Sequence, residues 1–227
     1  MDIYKGVNLK NKPFSQLVFW GAGTGRTLRP IWVAEELGLS YSLNPIGPRT
    51  GETQTPQYSK LNPKQKVPFC EDGDLKLSES VAICRYLVNR YDSDAKLKVP
   101  DYIEAQAKED EWLSFIFGEL DETSLYVMRR HGALAKIYGD APSAIVAARD
   151  YVVRQFKVIE LHMKDRRYLL NEKFSLPDIF LITCLNWAED YGIPLSKELE
   201  EYRDNLTQRD AYKKAVERNQ KKLNNTK

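Results

Sequence analysis

The chain is poor in the residues that most often build metal or disulfide sites. Its 227 residues include two histidines, His131 and His162, and three cysteines, Cys70, Cys84 and Cys184. An odd number of cysteines at wide spacing makes no disulfide framework, and two isolated histidines make no zinc site. Long hydrophobic runs are missing as well. The longest nearly unbroken apolar stretch, Ile179 to Ala188, falls far short of the roughly 20 residues that a membrane helix needs. Met1 to Phe14 lacks the apolar core of a targeting signal. Nor is there an excess of one charge: 34 Lys and Arg stand against 32 Asp and Glu, leaving +2. Nothing in that balance points to nucleic acid or to an anionic membrane. These absences predict a reduced, metal-free, cytoplasmic protein. The basic stretch from Lys213 onward reads as a frayed, solvated tail.

What is present falls into two parts. The first ninety residues alternate in a βαβ manner. Gln16 to Trp20 is an apolar and aromatic run suited to a buried strand. The Gly-rich loop Gly21-Ala22-Gly23-Thr24-Gly25 follows, then a helix from about Thr27 to Leu37, which Gly38 stops. Tyr41 to Ile46 can form a second strand, and residues 47–60 read as an extended connection. Val67 to Glu71 and Leu75 to Ser78 flank Asp72-Gly73-Asp74, a hairpin signature. A helix starting at Ser78 as N-cap would bury Cys84, Leu87, Val88 and Tyr91 at steps of three and four. This order predicts a thioredoxin-like α/β domain over residues 14–93.

Residues 93–100 read as a linker, and the signal from residue 100 to 227 is helical, an all-α second domain. Its clearest helix opens at Pro142, with Ile145, Ala148, Val152, Phe156, Ile159 and Met163 as a core stripe.

The informative block runs from Asn62 to Tyr91. A Val67–Pro68 pair opening a strand is unusual, because proline cannot donate to a central ladder. It makes sense if the bond is cis and turns the Val67 peptide outward, where a peptide-like ligand can pair with it as a short added strand. Twelve residues on, Glu79-Ser80 opens a helix, where free N–H groups and the Ser80 hydroxyl suit a carboxylate and Glu79 suits an ammonium. A ligand with a peptide centre and an α-amino acid terminus matches both places, and glutathione is such a ligand.

The order Asn62-Pro63, Val67-Pro68, Asp72-Gly73, Glu79-Ser80 and Ile83 with Tyr86-Leu87 resembles the cytosolic glutathione transferase family, over nearly the whole chain. Ala34-Glu35-Glu36-Leu37-Gly38-Leu39 matches the end of the family's first helix. Phe174-Ser175-Leu176-Pro177-Asp178-Ile179 looks like its N-capping box, which makes Asp178 structural. The resemblance implies that Val67, beside Pro68, pairs with the cysteinyl backbone of glutathione. Lys66 would approach the glycyl carboxylate, with Arg49 as another candidate, and Glu79 and Ser80 would hold the γ-glutamyl end. Glutathione would be a co-substrate, with no cofactor or metal. A homodimer is implied, as is a small hydrophobic electrophile in an apolar pocket lined by some of Trp112, Phe115, Phe117 and Tyr126.

The thiol-activating group is less determined. The loop after the first strand has no cysteine and no early tyrosine. Comparison with the serine- and threonine-using classes puts the catalytic position at Thr24. Thr27, with an N-cap role as its ordinary use, Arg26, and a backbone N–H near Gly25 or Arg26 remain alternatives. The function implied is attack by the glutathione thiolate on an electrophilic carbon or a peroxide. A non-catalytic glutathione-binding carrier or regulatory protein of the same fold is the rival reading.

Overall fold

The computed structural model describes residues 16–170 and 173–220. The expectations on Met1 to Phe14 and on the end of the tail lie outside the described residues.

Four short strands, β1 (Leu17–Trp20), β2 (Tyr41–Asn44), β3 (Phe69–Asp72) and β4 (Leu75–Ser78), form one sheet in the order β2-β1-β3-β4. β2 lies parallel to β1, with Leu17 opposite Tyr41. β3 is antiparallel, with Trp20 opposite Phe69, and the expected hairpin returns it as β4. Helices α1 (Gly25–Leu37) and α3 (Ser80–Tyr91) bury Ile31, Trp32, Ile83 and Leu87 in one core with Leu17 and Phe19. This is the thioredoxin-like layer. Gly38 ends α1 in the left-handed region (φ 69°), and its N–H returns to the last turn.

Several boundaries differ from those expected. Helix α1 starts two residues early, because Thr24 rather than Thr27 is its N-cap. The connection 47–60 is not simply extended. It holds a 3-10 turn (Glu52–Gln54) and helix α2 (Pro56–Leu61), where Thr55 Oγ1 accepts the Tyr58 N–H at 3.3 Å and Pro56 opens the first turn. β3 begins at Phe69, after Pro68. Ser78 closes β4 instead of capping a helix, and Glu79, at φ 74°, takes the N-cap position of α3.

The second part is helical: α4 (Ile103–Phe115), a run of wider π turns (Ile116–Leu125), α5 (Tyr126–His131), α6 (Ala135–Tyr138), α7 (Pro142–Met163), α8 (Leu176–Asp190), α9 (Lys197–Thr207) and α10 (Asp210–Asn219). The stripe on α7 buries Ala148, Val152, Phe156 and Ile159, with Ile145 and Met163 partly covered. The apolar run noted in the sequence is the middle of α8, a core helix. Asp178 is structural. Its carboxylate accepts the N–H groups of Ser175 (2.8 Å) and Leu169 (2.9 Å) and the Tyr202 hydroxyl (2.6 Å), and the expected capping box with Ser175 is present. The linker is pinned: Asp92 accepts the N–H groups of Lys96, Leu97 and Lys98 at 2.6–2.7 Å, with Leu97 buried. The tail reading fails for residues 213–219, which belong to α10 and bury Ala215 against the rest of the chain.

Helix α1 joins the two parts. Arg29, 1% exposed, sets Nη2 2.7 Å from Asp121 Oδ2 in the π segment and donates from Nε to Thr183 Oγ1 of α8 at 2.8 Å. Arg26 reaches the other oxygen of Asp121, whose side chain is wholly buried, and Glu122 at 2.9 Å. At its far end α1 pairs Glu36 with Arg209 at 2.6 and 2.7 Å. Asp121→Ala leaves two cations without a buried counter-charge. It should cost about 3–5 kcal/mol of stability, because an uncompensated charge in the interior is expensive. Urea unfolding measures this, and a variant within 1 kcal/mol of the parent, about the effect of an ordinary point substitution, would show that the cluster contributes little.

Candidate functional site

A cleft of about 850 Å³ opens between the two parts of the molecule. One wall comes from the loop ahead of α1 and from residues 64–67; the other comes from α5, α8 and α10.

The loop is shaped by its glycine at position 21. Gly21 has φ 111°, and a Cβ there would lie 2.5 Å from Val67 Cβ and 2.8 Å from Thr27 Cγ2. Only glycine lets the chain pass this close to Val67 and then turn into the helix. The end of α10 holds the loop from outside. The Asn219 C=O accepts the Gly23 N–H at 2.7 Å, its Nδ2 donates to the Thr24 C=O at 3.1 Å, and its Oδ1 lies 2.7 Å from Thr27 Oγ1. Thr27 is buried, and its hydroxyl is committed to Asn219 and to the Thr24 carbonyl. It turns away from the cleft.

Thr24 does line the cleft. Its Oγ1 accepts the Thr27 N–H at 3.1 Å and lies 3.0 Å from Thr27 Oγ1. The Thr27 proton has acceptors in Asn219 and the Thr24 carbonyl, which leaves Thr24 as the donor of the 3.0 Å contact with Thr27 Oγ1; a ligand in the cleft would have to draw that proton away from Thr27. Beside it, the Gly25 and Arg26 N–H groups open the helix and make no hydrogen bond among the described residues. A thiolate placed there would meet one hydroxyl, two open N–H groups and a helix N-terminus.

Arg26 is not a free cation beside this position. Burial alone would lower the pKa of its guanidinium, but Asp121 and Glu122 outweigh burial and raise it. Its charge is spent on those carboxylates, and it stacks 4.4 Å over the Tyr126 ring.

The Val67–Pro68 bond is cis, as expected. Val67 and Lys66 line the cleft, and no hydrogen bond among the described residues takes up the Val67 N–H or C=O. Tyr58 and the Asn62 amide donate to the Lys66 C=O at 2.7 and 2.8 Å and fix this corner. Pro68 is buried behind it. Glu79 and Ser80 do not line the cleft as it stands. Glu79 is exposed and pairs with Lys64 Nζ at 2.8 Å, whereas Ser80 is buried under Arg29 Nη1 at 3.4 Å. Lys64 lies on the cleft wall and covers the approach to Glu79.

The helical wall differs from the apolar one expected. Of the four aromatics singled out in the sequence, Tyr126 alone lines the cleft. Trp112 packs on His162 (ring centroids 4.3 Å) and on Phe115, while Phe117 lies under Arg26 and Arg29. Tyr138, Trp187, Tyr191 and Tyr212 replace them, together with Arg49 and Arg129. Their spacings in sequence give no signal, since they come from α5, α6, α8 and its end, α10 and the connection after β2. None of the cysteines offers a nucleophile: burial pushes the Cys70 and Cys184 thiols up to about 12, and Cys84 is raised too. Among the described residues no group of side chains could hold a metal ion, and no helix is long and apolar enough to cross a membrane.

Comparison with known proteins identifies the family. A family model for the glutathione S-transferase N-terminal domain matches residues 15–89, and one for the glutathione S-transferase C-terminal domain matches residues 125–210. The chain belongs to the glutathione S-transferase family. It is 28% identical over 186 residues to glutathione S-transferase 1 of Schizosaccharomyces pombe, spanning 77% of both chains. It is 29% identical over 166 residues to glutathione S-transferase theta-1 of Bos taurus, spanning 69% of this chain and 67% of that one. Among solved structures it is similar to glutathione transferase URE2P6 of Phanerochaete chrysosporium in complex with oxidized glutathione. That likeness has a TM-score of 0.77 at 25% identity, over 89% of this chain and 96% of that one.

Proposed function

We propose that the first-domain wall of the cleft binds glutathione and that Thr24 supports its thiolate for attack on an electrophile held against the helical wall. Glutathione transfer is the activity that family membership carries. The observation behind the residue assignment is the unpaired Val67 peptide group, set on the same wall as the Thr24 hydroxyl and the open Gly25 and Arg26 N–H groups. The cysteinyl backbone of glutathione pairs with Val67, which brings its sulfur toward Thr24. The glycyl carboxylate lies toward Lys66. The γ-glutamyl end displaces Lys64 from Glu79, placing its ammonium on the Glu79 carboxylate and its carboxylate on the Ser80 end of α3. The protein positions the tripeptide and lowers its thiol pKa. The carrier alternative gains nothing from the likeness to Ure2p, which at 20% identity shows a shared fold alone. We place the protein in the cytoplasm, where its three buried free thiols stay reduced.

Ser80→Ala and Glu79→Ala should each weaken glutathione binding about tenfold to a hundredfold without unfolding the protein, since each removes bonds to a charged group. Calorimetry measures this, and unchanged affinity in either variant removes that residue from the site.

Thr24→Ala and Thr24→Val should raise the pKa of the bound thiol by about one unit, from loss of one hydrogen bond to the thiolate, while affinity for glutathione stays near the parent's. The ultraviolet absorbance of the thiolate, titrated against pH in the binary complex, reads it directly. An unchanged titration in both variants transfers the role to the Gly25 and Arg26 N–H groups.

We also infer a homodimer in which the first domain of one subunit packs on the second domain of the other. Ile103 and Leu161, 81% and 77% exposed, are large apolar side chains that a monomer leaves in water. Light scattering should give about twice the 26.2 kDa chain mass. A monomer at micromolar concentration refutes the assembly.

A further inference from the structure

The cleft carries more positive charge than the glutathione contacts proposed above use, since the glycyl carboxylate is given to Lys66, and Arg49, its other candidate, is bonded to Tyr126 and Tyr138. Its cationic lining consists of Lys64, Lys66, Arg26, Arg49 and Arg129. Lys64 is matched by Glu79, and Arg26 by Asp121 and Glu122. Arg49 and Arg129 have no carboxylate partner among the described residues. Asp190, the carboxylate in the same wall, is exposed and forms an ion pair with neither.

Arg129 is the more informative of the two. It stands on α5, in the helical domain, whereas every residue assigned to glutathione stands on the first domain. It is half-buried, and its guanidinium makes no hydrogen bond among the described residues. Burial lowers its pKa, and the charge of Arg49 lowers it further. An unpaired cation pressed toward other cations is costly unless something answers it.

The surroundings narrow the class of that partner. Arg49 bonds to the hydroxyls of Tyr126 and Tyr138 and lies 5.5 and 5.2 Å from their ring centroids, so it is held against the helical wall. Trp187 and Tyr191 line the same cleft, with ring centroids 6.4 Å apart. Aromatic rings and guanidiniums without carboxylate partners in one cleft suit an aromatic ring that bears an anion.

We propose that the co-substrate is an aromatic electrophile carrying a carboxylate, with Arg129, assisted by Arg49, as the residue that selects it over neutral electrophiles. This deepens the transferase reading and rests on it. In the reaction tested, the glutathione sulfur forms a C–S bond to the ring carbon that bears chlorine. The C–Cl bond then breaks, and chloride leaves with the bonding pair.

The experiment compares 4-chloro-3,5-dinitrobenzoate with its methyl ester, which keeps the ring and removes the charge. The parent protein should favour the carboxylate in kcat/KM. Arg129→Gln should lower that value about tenfold or more, the size expected for a lost charge-assisted hydrogen bond. The ester's kcat/KM and the KM for glutathione should stay within about twofold, because neither is assigned a contact with Arg129. Arg129→Lys should restore part of the preference, since the charge remains. Equal losses on both substrates, a parent preference for the ester, or a raised KM for glutathione overturns the proposal. Calorimetry with the two finished conjugates separates it from the transferase reading. Tighter, Arg129-dependent binding of the carboxylate conjugate without any turnover upholds this inference and defeats the transferase reading. Turnover with equal binding of both conjugates does the reverse.

Discussion

The buried contact of Asp121 with Arg26 and Arg29 is the constraint on which the rest of the molecule depends. It joins α1 of the sheet domain to the π segment of the helical domain at a point from which water is excluded. Charges in such a place stabilise little beyond what their desolvation costs, yet they tolerate few alternative arrangements. A hydrophobic contact between α1 and the helical domain would permit sliding. A carboxylate that must meet two guanidiniums, one of them also bonded to Thr183, fixes both the rotation and the height of α1. The wider turns of the π segment bring Asp121 to this position, and such insertions occur often at functional sites.

Everything on the cleft inherits its position from that fixed helix. Thr24 is held because it caps α1, and Val67 because Gly21 lets it lie against the start of the same loop. Asn219 then ties the loop to α10, so Thr24 is held from two domains at once. Such double support holds a side chain to within about 0.5 Å, the precision that a functional site needs. The same cluster explains why Arg26, which stands at the mouth of the helix, contributes little free positive charge there. Its partners are already chosen.

What could be read from the sequence was what local chemistry encodes. Gly38 as a helix stop, the Asp72-Gly73 hairpin, the α7 stripe and the Ser175–Asp178 box each involve residues within a few positions of one another. Val67-Pro68 was legible for a similar reason, since a proline at a strand start allows few conformations. Helix α2 was missed although Thr55-Pro56 is a sound cap and first-turn pair; the glycines and prolines around it suggested an irregular connection instead. Ser78 was taken as a cap because it is a good one in isolation, but the β4 ladder claims it and passes the position to Glu79. Asp121 lies 95 residues from Arg26, and Asn219 lies 192 from Thr27, so no window of sequence could have joined them. Tail composition misled for the same reason: lysines on one face of α10 hid the burial of Ala215 on the other.

The character of the helical wall follows from this accounting of charge. The apolar pocket implied by the resemblance rests on Trp112, Phe115, Phe117 and Tyr126, of which Tyr126 alone lines the cleft, among other tyrosines and Trp187. In the folded chain those rings serve as surfaces on which guanidiniums rest, with Arg26, Arg49 and Arg130 all within 6 Å of the Tyr126 centroid. An arginine stacked this way gives up part of its hydration but keeps its edge donors available. Neutralisation then decides which of them are available to a ligand. Asp121 and Glu122 take Arg26, while Arg49 and Arg129 keep their charge toward the cleft. The cleft lining therefore carries cations from both domains, Lys64, Lys66 and Arg49 from the first and Arg129 from the helical one. The Gly-rich loop that carries Thr24 lines the same cleft.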